Sequence, residues 1–423
     1  MTIILTLLIF SQSGDTIVLD LNAAIDYALV QNAEIRNLDL DRDISGTKVD
    51  QAVANFYPSL TASGYYAYLD RVSVIEFGGM QIPMGQHENY NVQLSLQQVL
   101  FAWGKLYDAY RLADLGREIA GLTLERKRQD VRYTVTQSFY SLLVLQEMVK
   151  LTGESYAQLK RHEDAVRKRF EAGLVPQFEL LRAQVQVANL KPRVTEAENG
   201  LQLARNGFQM LLGMPLDQEF ELSGELGSIE EDFELGVLID TALVSRTEIK
   251  SLERAEKMGR IGRSLVGRTN LPTIATGATY AYKKPIGLTG NDWGENLTFN
   301  IGFSWPIFSG FRTLSQYREA GLEMKKARLA IDQVKKGVEL ETKNAYYTFQ
   351  AARELTTAAQ ENLSQADKAL NIIETRYKNG LATNLEYLDV QLAQVQARNN
   401  YLNALKDLHT AWAAIYRAIG KEQ

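Results

Sequence analysis

The chain has 423 residues, with 46 Lys and Arg against 51 Asp and Glu and a formal net charge of −5. Cysteine is absent, which excludes disulfides, thiolate metal sites and an acylated N-terminal cysteine, and the dispersed basic residues offer no nucleic-acid groove. The mean hydropathy is −0.21 and no apolar run reaches the ~18 residues of a transmembrane helix, so any membrane crossing falls to β-strands.

In chain order, residues 1–13 read as a signal peptide. Ile3 to Phe10 form a short apolar core, and Ser11-Gln12-Ser13 is a small-residue cleavage site. The first basic residue is Arg36, so the usual basic flank is missing. A first repeat is expected over 14–213: a helix, a β-hairpin over about 59–98, then a long helical hairpin. In the second strand of that hairpin Tyr90, Val92, Leu94 and Leu96 alternate with Asn91, Gln93, Ser95 and Gln97. A period of two gives one apolar and one polar face. The stretch 71–87 reads as a loop, either folded over the mouth of a barrel or mobile. Residues 105–172 hold no proline and would span ~100 Å if helical throughout. Val131, Val135, Phe139, Leu142 and Leu145 recur with coiled-coil spacing. A return helix is expected over 178–213, with Pro176 in its first turn and Pro192 kinking it.

Residues 214–236 are acidic and glycine-bearing, and read as a surface connector between the repeats. A second repeat follows over 237–423, with a β-hairpin at about 273–305. Here Leu297, Phe299, Ile301, Phe303 and Trp305 alternate with Thr298, Asn300, Gly302 and Ser304. Both apolar strand faces read as lipid-facing, and Trp305 as an interfacial aromatic. Residues 313–379 and 384–419 repeat the long and return helices. From Phe101/Phe308 to Gly173/Gly380 the offset between repeats stays at 207 residues. A constant offset over so long a stretch means one structural unit used twice.

Strand number carries the argument further. Four strands cannot close a barrel, and a backbone in lipid cannot leave an open edge. The chain must therefore share a barrel with copies of itself. Two copies would give a barrel filled by its own side chains, and three would give twelve strands and an open lumen. Enzyme signatures are absent: His87, His162 and His409 sit far apart with no metal-ligand spacing, and no nucleophile elbow or phosphate-binding loop occurs. No cofactor or metal is expected.

Several segments together resemble the TolC family of outer-membrane efflux proteins. They are LDLNAAIDYALVQNAEI at 19–35, the strand entries FYPSL and NLPTI, the strands NVQLSLQQVLF and TFNIGFSWPIF, and the turns RFEAGL and RYKNGL. The resemblance implies a mixed α/β membrane protein: a homotrimer with a twelve-stranded transmembrane β-barrel in outer-membrane lipid, continued by a periplasmic α-helical coiled-coil barrel. It implies a passive exit duct served by an inner-membrane pump and a periplasmic adaptor. The adaptor would meet Gly173-Leu174 and Gly380-Leu381. The family's constriction acids fall on Glu386 and Asp389 and its tyrosine on Tyr377, whereas its arginine falls on Ala382, so that tie is missing here. Arg182 in the first repeat is the expected replacement, pairing with Asp389 or Glu386 of a neighbouring helix. Polypeptide secretion through the same duct, and a periplasmic coiled-coil scaffold without a pore, are the competing readings.

Overall fold

The computed structural model describes residues 16–287 and 290–422; the segment read as a signal peptide lies outside them. The described residues form two compact units. One holds the chain up to Asp39 with Leu122–Lys250 and the chain from Gln333, and the other holds Leu40–Gly121 and Ser251–Asp332. The elements follow in chain order as β1 (Ile17–Leu19), α1 (Leu21–Gln31), α2 (Ala33–Ala54), β2 (Ser59–Tyr68), β3 (Ser73–Phe77), β4 (Met80–Met84), β5 (Glu88–Phe101), α3 (Lys105–Glu171) and α4 (Gln177–Leu212). The second repeat continues with β6 (Phe220–Leu222), α5 (Leu235–Ser245), α6 (Thr247–Gly267), β7 (Thr273–Lys284), β8 (Gly294–Ser304), α7 (Arg312–Lys378) and α8 (Asn384–Ile419).

In the strand-bearing unit, β2, β5, β7 and β8 form one antiparallel sheet in that order. The register sets Leu94 opposite Tyr280 and Ala278 opposite Phe299. Alternation along β5 and β8 leaves Val92, Leu94 and Leu96 exposed, together with Leu297, Phe299, Ile301 and Phe303, of which Phe299 is 75% exposed. A contiguous exposed apolar face of this size calls for an apolar surrounding. Tyr90 is half-buried, its ring 4.9 Å from that of Tyr66. Trp305 lies one residue past β8, and its indole N–H donates to the Asn270 carbonyl at 2.9 Å. It therefore buttresses the entry to β7 rather than extending the strand. β2 and β8 each have one neighbour in the sheet, so both outer edges carry unpaired backbone groups. The 71–87 stretch is a hairpin, β3 on β4, turned at Gly78-Gly79 with φ of +59° and +84°; two successive left-handed residues are what a tight hairpin turn needs.

In the helical unit the duplication is visible in lengths. α3 and α7 each have 67 residues, and α4 and α8 each have 36. Val135, Phe139 and Leu142 of α3 are buried with Phe208 and Leu212 of α4; Val338 and Phe349 of α7 are buried with Leu408 and Ile415 of α8. Val135, Phe139 and Leu142 follow the three- and four-residue spacing read from sequence. Pro176 is the N-cap of α4 rather than a first-turn residue, and Pro192 lies inside that helix.

Each return helix ends on a left-handed glycine packed against the corner of a short helix pair. A Cβ on Gly213 would lie 2.5 Å from the Gln31 carbonyl oxygen, so no other residue fits without moving backbone. Asn32 donates its amide to the Leu211 carbonyl at 2.8 Å. In the second repeat a buried Arg246 does this work. Its guanidinium donates to the carbonyls of Arg417 and Ala418 and pairs with Glu248 at 2.8 Å and Glu341 at 2.7 Å. The connector carries β6, which pairs in parallel with β1. Beyond it, Glu231 accepts from the Trp412 indole at 2.6 Å and the Tyr416 hydroxyl at 2.8 Å. The His409 ring donates to the Gly227 carbonyl at 2.9 Å.

Candidate functional site

The two turns between long and return helices are built alike. The Leu174 N–H donates to the Arg169 carbonyl at 2.8 Å, and the Leu381 N–H to the Arg376 carbonyl at 2.8 Å. Gly173 and Gly380 take φ of +74° and +72°, the left-handed conformation this helix ending requires. In such endings the residue after the glycine commonly packs on the side chain five positions earlier. Here that position is Arg169 or Arg376, so neither leucine finds an apolar partner. Leu174 is 74% and Leu381 67% exposed. Both turns therefore expose a bare leucine.

Where the return helices begin, the repeats diverge, and one residue accounts for it. Thr383 caps α8: its hydroxyl accepts from the Glu386 N–H at 3.2 Å, and the Glu386 carboxylate accepts from the Thr383 N–H at 2.7 Å. These bonds hold the Glu386 carboxyl below its usual range, chiefly through the Thr383 backbone. At the matching position of α4 stands Pro176, which has neither N–H nor hydroxyl to offer. Glu179, the counterpart of Glu386, has no cap to make. It reaches the other hairpin and accepts from the Asn384 amide at 2.8 Å.

Asn384 in turn accepts from the His162 ring N–H at 2.6 Å. One carboxamide thus bridges α3, α4 and α8. A second link runs from the Gln158 amide to the Tyr387 hydroxyl at 2.8 Å. Around these bonds the Tyr377 ring stacks on Tyr387 at 5.2 Å, His162 lies 5.4 Å from Tyr387, and the Arg169 guanidinium sits 5.5 Å above Tyr377. Burial pushes the His162 pKa down, only partly offset by its bond to Asn384, and pushes the Tyr377 and Tyr387 hydroxyls up. At neutral pH His162, Tyr377 and Tyr387 are therefore uncharged, and the cluster ties the two helical hairpins together.

The residues expected at a constriction are distributed as follows. Tyr377 is in the tie. Glu386 is engaged in capping its own helix, one turn from Asp389. Asp389 and Arg182 line a common groove, yet they form no ion pair within the chain among the described residues. His162, Asn384 and Gln158 were not singled out from sequence. A lone histidine and an asparagine at a helix start have ordinary structural uses, and the contrast of Pro176 with Thr383 at a 207-residue offset is the one signal that marks the divergence.

Comparison with known proteins bears on the chain as a whole. The family described as "Outer membrane efflux protein" matches residues 24–214 and 238–421, one match on each repeat. The chain is 25% identical over 330 residues to the cobalt-zinc-cadmium resistance protein CzcC of Cupriavidus metallidurans, covering 75% of this chain and 74% of that relative. It is 21% identical over 389 residues to the outer membrane protein TolC of Escherichia coli, covering 89% and 77%. Among solved structures, CusC superposes with a TM-score of 0.78 at 16% identity, over 98% of this chain and 96% of that one.

Proposed function

The chain belongs to the outer membrane efflux protein family, whose members are channels and not enzymes, and from that premise we propose that three copies of it form a passive exit duct for small molecules. The observation that carries this reading is the sheet with two unpaired edges and an exposed apolar face. Edge β2 of one copy joined to edge β8 of the next satisfies both edges at once. Four strands from each of three copies close a twelve-stranded barrel wide enough for a lumen. The alternating polar residues then line the lumen and the apolar ones meet outer-membrane lipid.

The duct performs no chemistry of its own. Leu174 and Leu381 are the apolar contacts for a periplasmic adaptor, and energy comes from an inner-membrane pump. The hairpin turns are the gate. In each copy the His162–Asn384–Glu179 bridge and the Gln158–Tyr387 bond hold one hairpin to the other, with Tyr377 packed among them. Glu386 and Asp389, three residues apart on α8, bring six carboxylates to the axis of a trimer and favour cations there.

A deletion strain tests the cargo class. Sensitisation to dyes and detergents, reversed by the wild-type gene, is the expected result. Unchanged susceptibility together with loss of a secreted polypeptide would reassign the duct to protein secretion.

A further inference from the structure

Beside the tie lies a groove of 290 Å³ bounded by α3, α4 and α8. Its α4 wall is a stripe of Arg182, Gln186, Asn189 and Arg193, spaced by four, three and four residues and so on one helix face. Neither arginine has an ion pair among the described residues. Arg182 is half-buried. The groove's one carboxylate is Asp389, so its fixed charges leave an excess of one positive charge.

Gln391 of α8 lines the same groove. Gln391 is 5% exposed, and its amide oxygen has no hydrogen-bond donor. The nearby Ser155 hydroxyl does not serve it, since that hydroxyl donates to the Leu151 carbonyl. A buried acceptor left unmade is costly, and a ligand N–H or O–H would remove the cost. Leu159, Leu388 and Leu392 supply an apolar side.

Coiled-coil packing does not dictate the stripe. At the matching positions of the second repeat stand Asp389, Ala393, Gln396 and Asn400, and none is basic.

We propose that this groove binds an amphipathic organic anion: a carboxylate for Arg182 and Arg193, a compact apolar body against the leucines, and a hydroxyl or N–H that donates to Gln391. The volume suits a single rigid molecule of two or three rings, at the small end of ligand sites. Asp389 is the built-in competitor for the guanidiniums. The groove is complete within one chain, so binding does not rest on the duct reading; joined to that reading, it makes the groove a contact for anionic cargo beside the gate.

The fluorescent 6-hydroxy-2-naphthoate has the required parts: a carboxylate, a rigid two-ring body and a naphthol hydroxyl that keeps its proton at neutral pH. The test is its fluorescence anisotropy on titration with the full-length protein in lipid nanodiscs at low salt. Saturable binding is expected, weakened about tenfold by either Arg182→Gln or Arg193→Gln and tightened about threefold by Asp389→Asn. The cationic dye rhodamine 6G is expected not to bind. A gain in the Asp389→Asn protein cannot come from misfolding. Absence of saturable binding, equal binding of rhodamine 6G, or an affinity indifferent to both Arg182→Gln and Asp389→Asn would overturn the proposal. None of these outcomes bears on whether the protein is a trimer or conducts.

Discussion

Replacing Asn384 with Ala removes the bridge between the hairpins at its centre. Two bonds go together: 2.6 Å from His162 and 2.8 Å to the Glu179 carboxylate. A neutral bond is worth ~1 kcal/mol net and one to a charged group ~1.5–3 kcal/mol. Glu179 is half-buried and regains water when released, which argues for the low end. The loss is therefore about 2.5 kcal/mol per chain, or ~70-fold in the ratio of tied to untied tips. The Gln158–Tyr387 bond survives, so the fold is retained. The assay is single-channel conductance in planar bilayers at pH 7. Asn384→Ala is expected to raise the conductance or the time spent in the conducting state, and Thr383→Ala, which loses only a helix cap worth ~1 kcal/mol, to change it less. An Asn384→Ala channel indistinguishable from wild type would refute the assignment of this bridge to the gate.

Acid is expected to act in the same direction. His162 and His409 both have pKa values pushed below the usual histidine value by burial, so the unfolded chain takes up protons first as pH falls. Their contribution to stability is complete above about pH 6.5 and is lost as pH drops through the lower folded values. Thermal midpoints should fall below that pH in the wild type, and less so in a His162→Gln, His409→Gln protein; an equal fall in both would refute the assignment. Arg246→Ala strips two carbonyls at the end of α8 of a donor, leaves Glu341 without its cation and leaves Glu248 with Arg126 alone. It should cost about 3 kcal/mol by chemical denaturation, and a loss below ~1 kcal/mol would show that the ion pairs contribute nothing. A Leu174→Asp, Leu381→Asp protein should keep wild-type stability and lose efflux in cells, because both side chains are already in water; wild-type efflux would remove the turns from the adaptor contact.

The strands and long helices were legible because their periods of two and of three to four persist over many residues, and because the second copy repeats them at a fixed offset. Tyr90 to Leu96 and Leu297 to Phe303 needed no tertiary information. β1 and β6 were not legible: three-residue strands carry no period, and only their pairing makes Ile17–Leu19 and Phe220–Leu222 visible. The acidic connector was read from composition, which gives no hint that Glu231 fastens Trp412 and Tyr416 or that Asp232 pairs with Arg353 at 2.5 Å. At the turns, the glycines and leucines stood out because their positions recur. The bridge did not, because it arises where the repeats differ. Pro176 in place of a capping threonine frees Glu179, and the partner that Glu179 finds lies 205 residues away. Glu386 was read as an acid facing an axis, and its part in capping its own helix was not read, although Thr383 stands three residues before it.

The central claim is that one chain is an incomplete barrel. The most direct measurement is the mass of the protein extracted from the outer-membrane fraction, by light scattering corrected for bound detergent. Four strands per chain and two unpaired sheet edges predict a mass of three chains in that fraction. A single chain in the soluble periplasmic fraction would contradict the account.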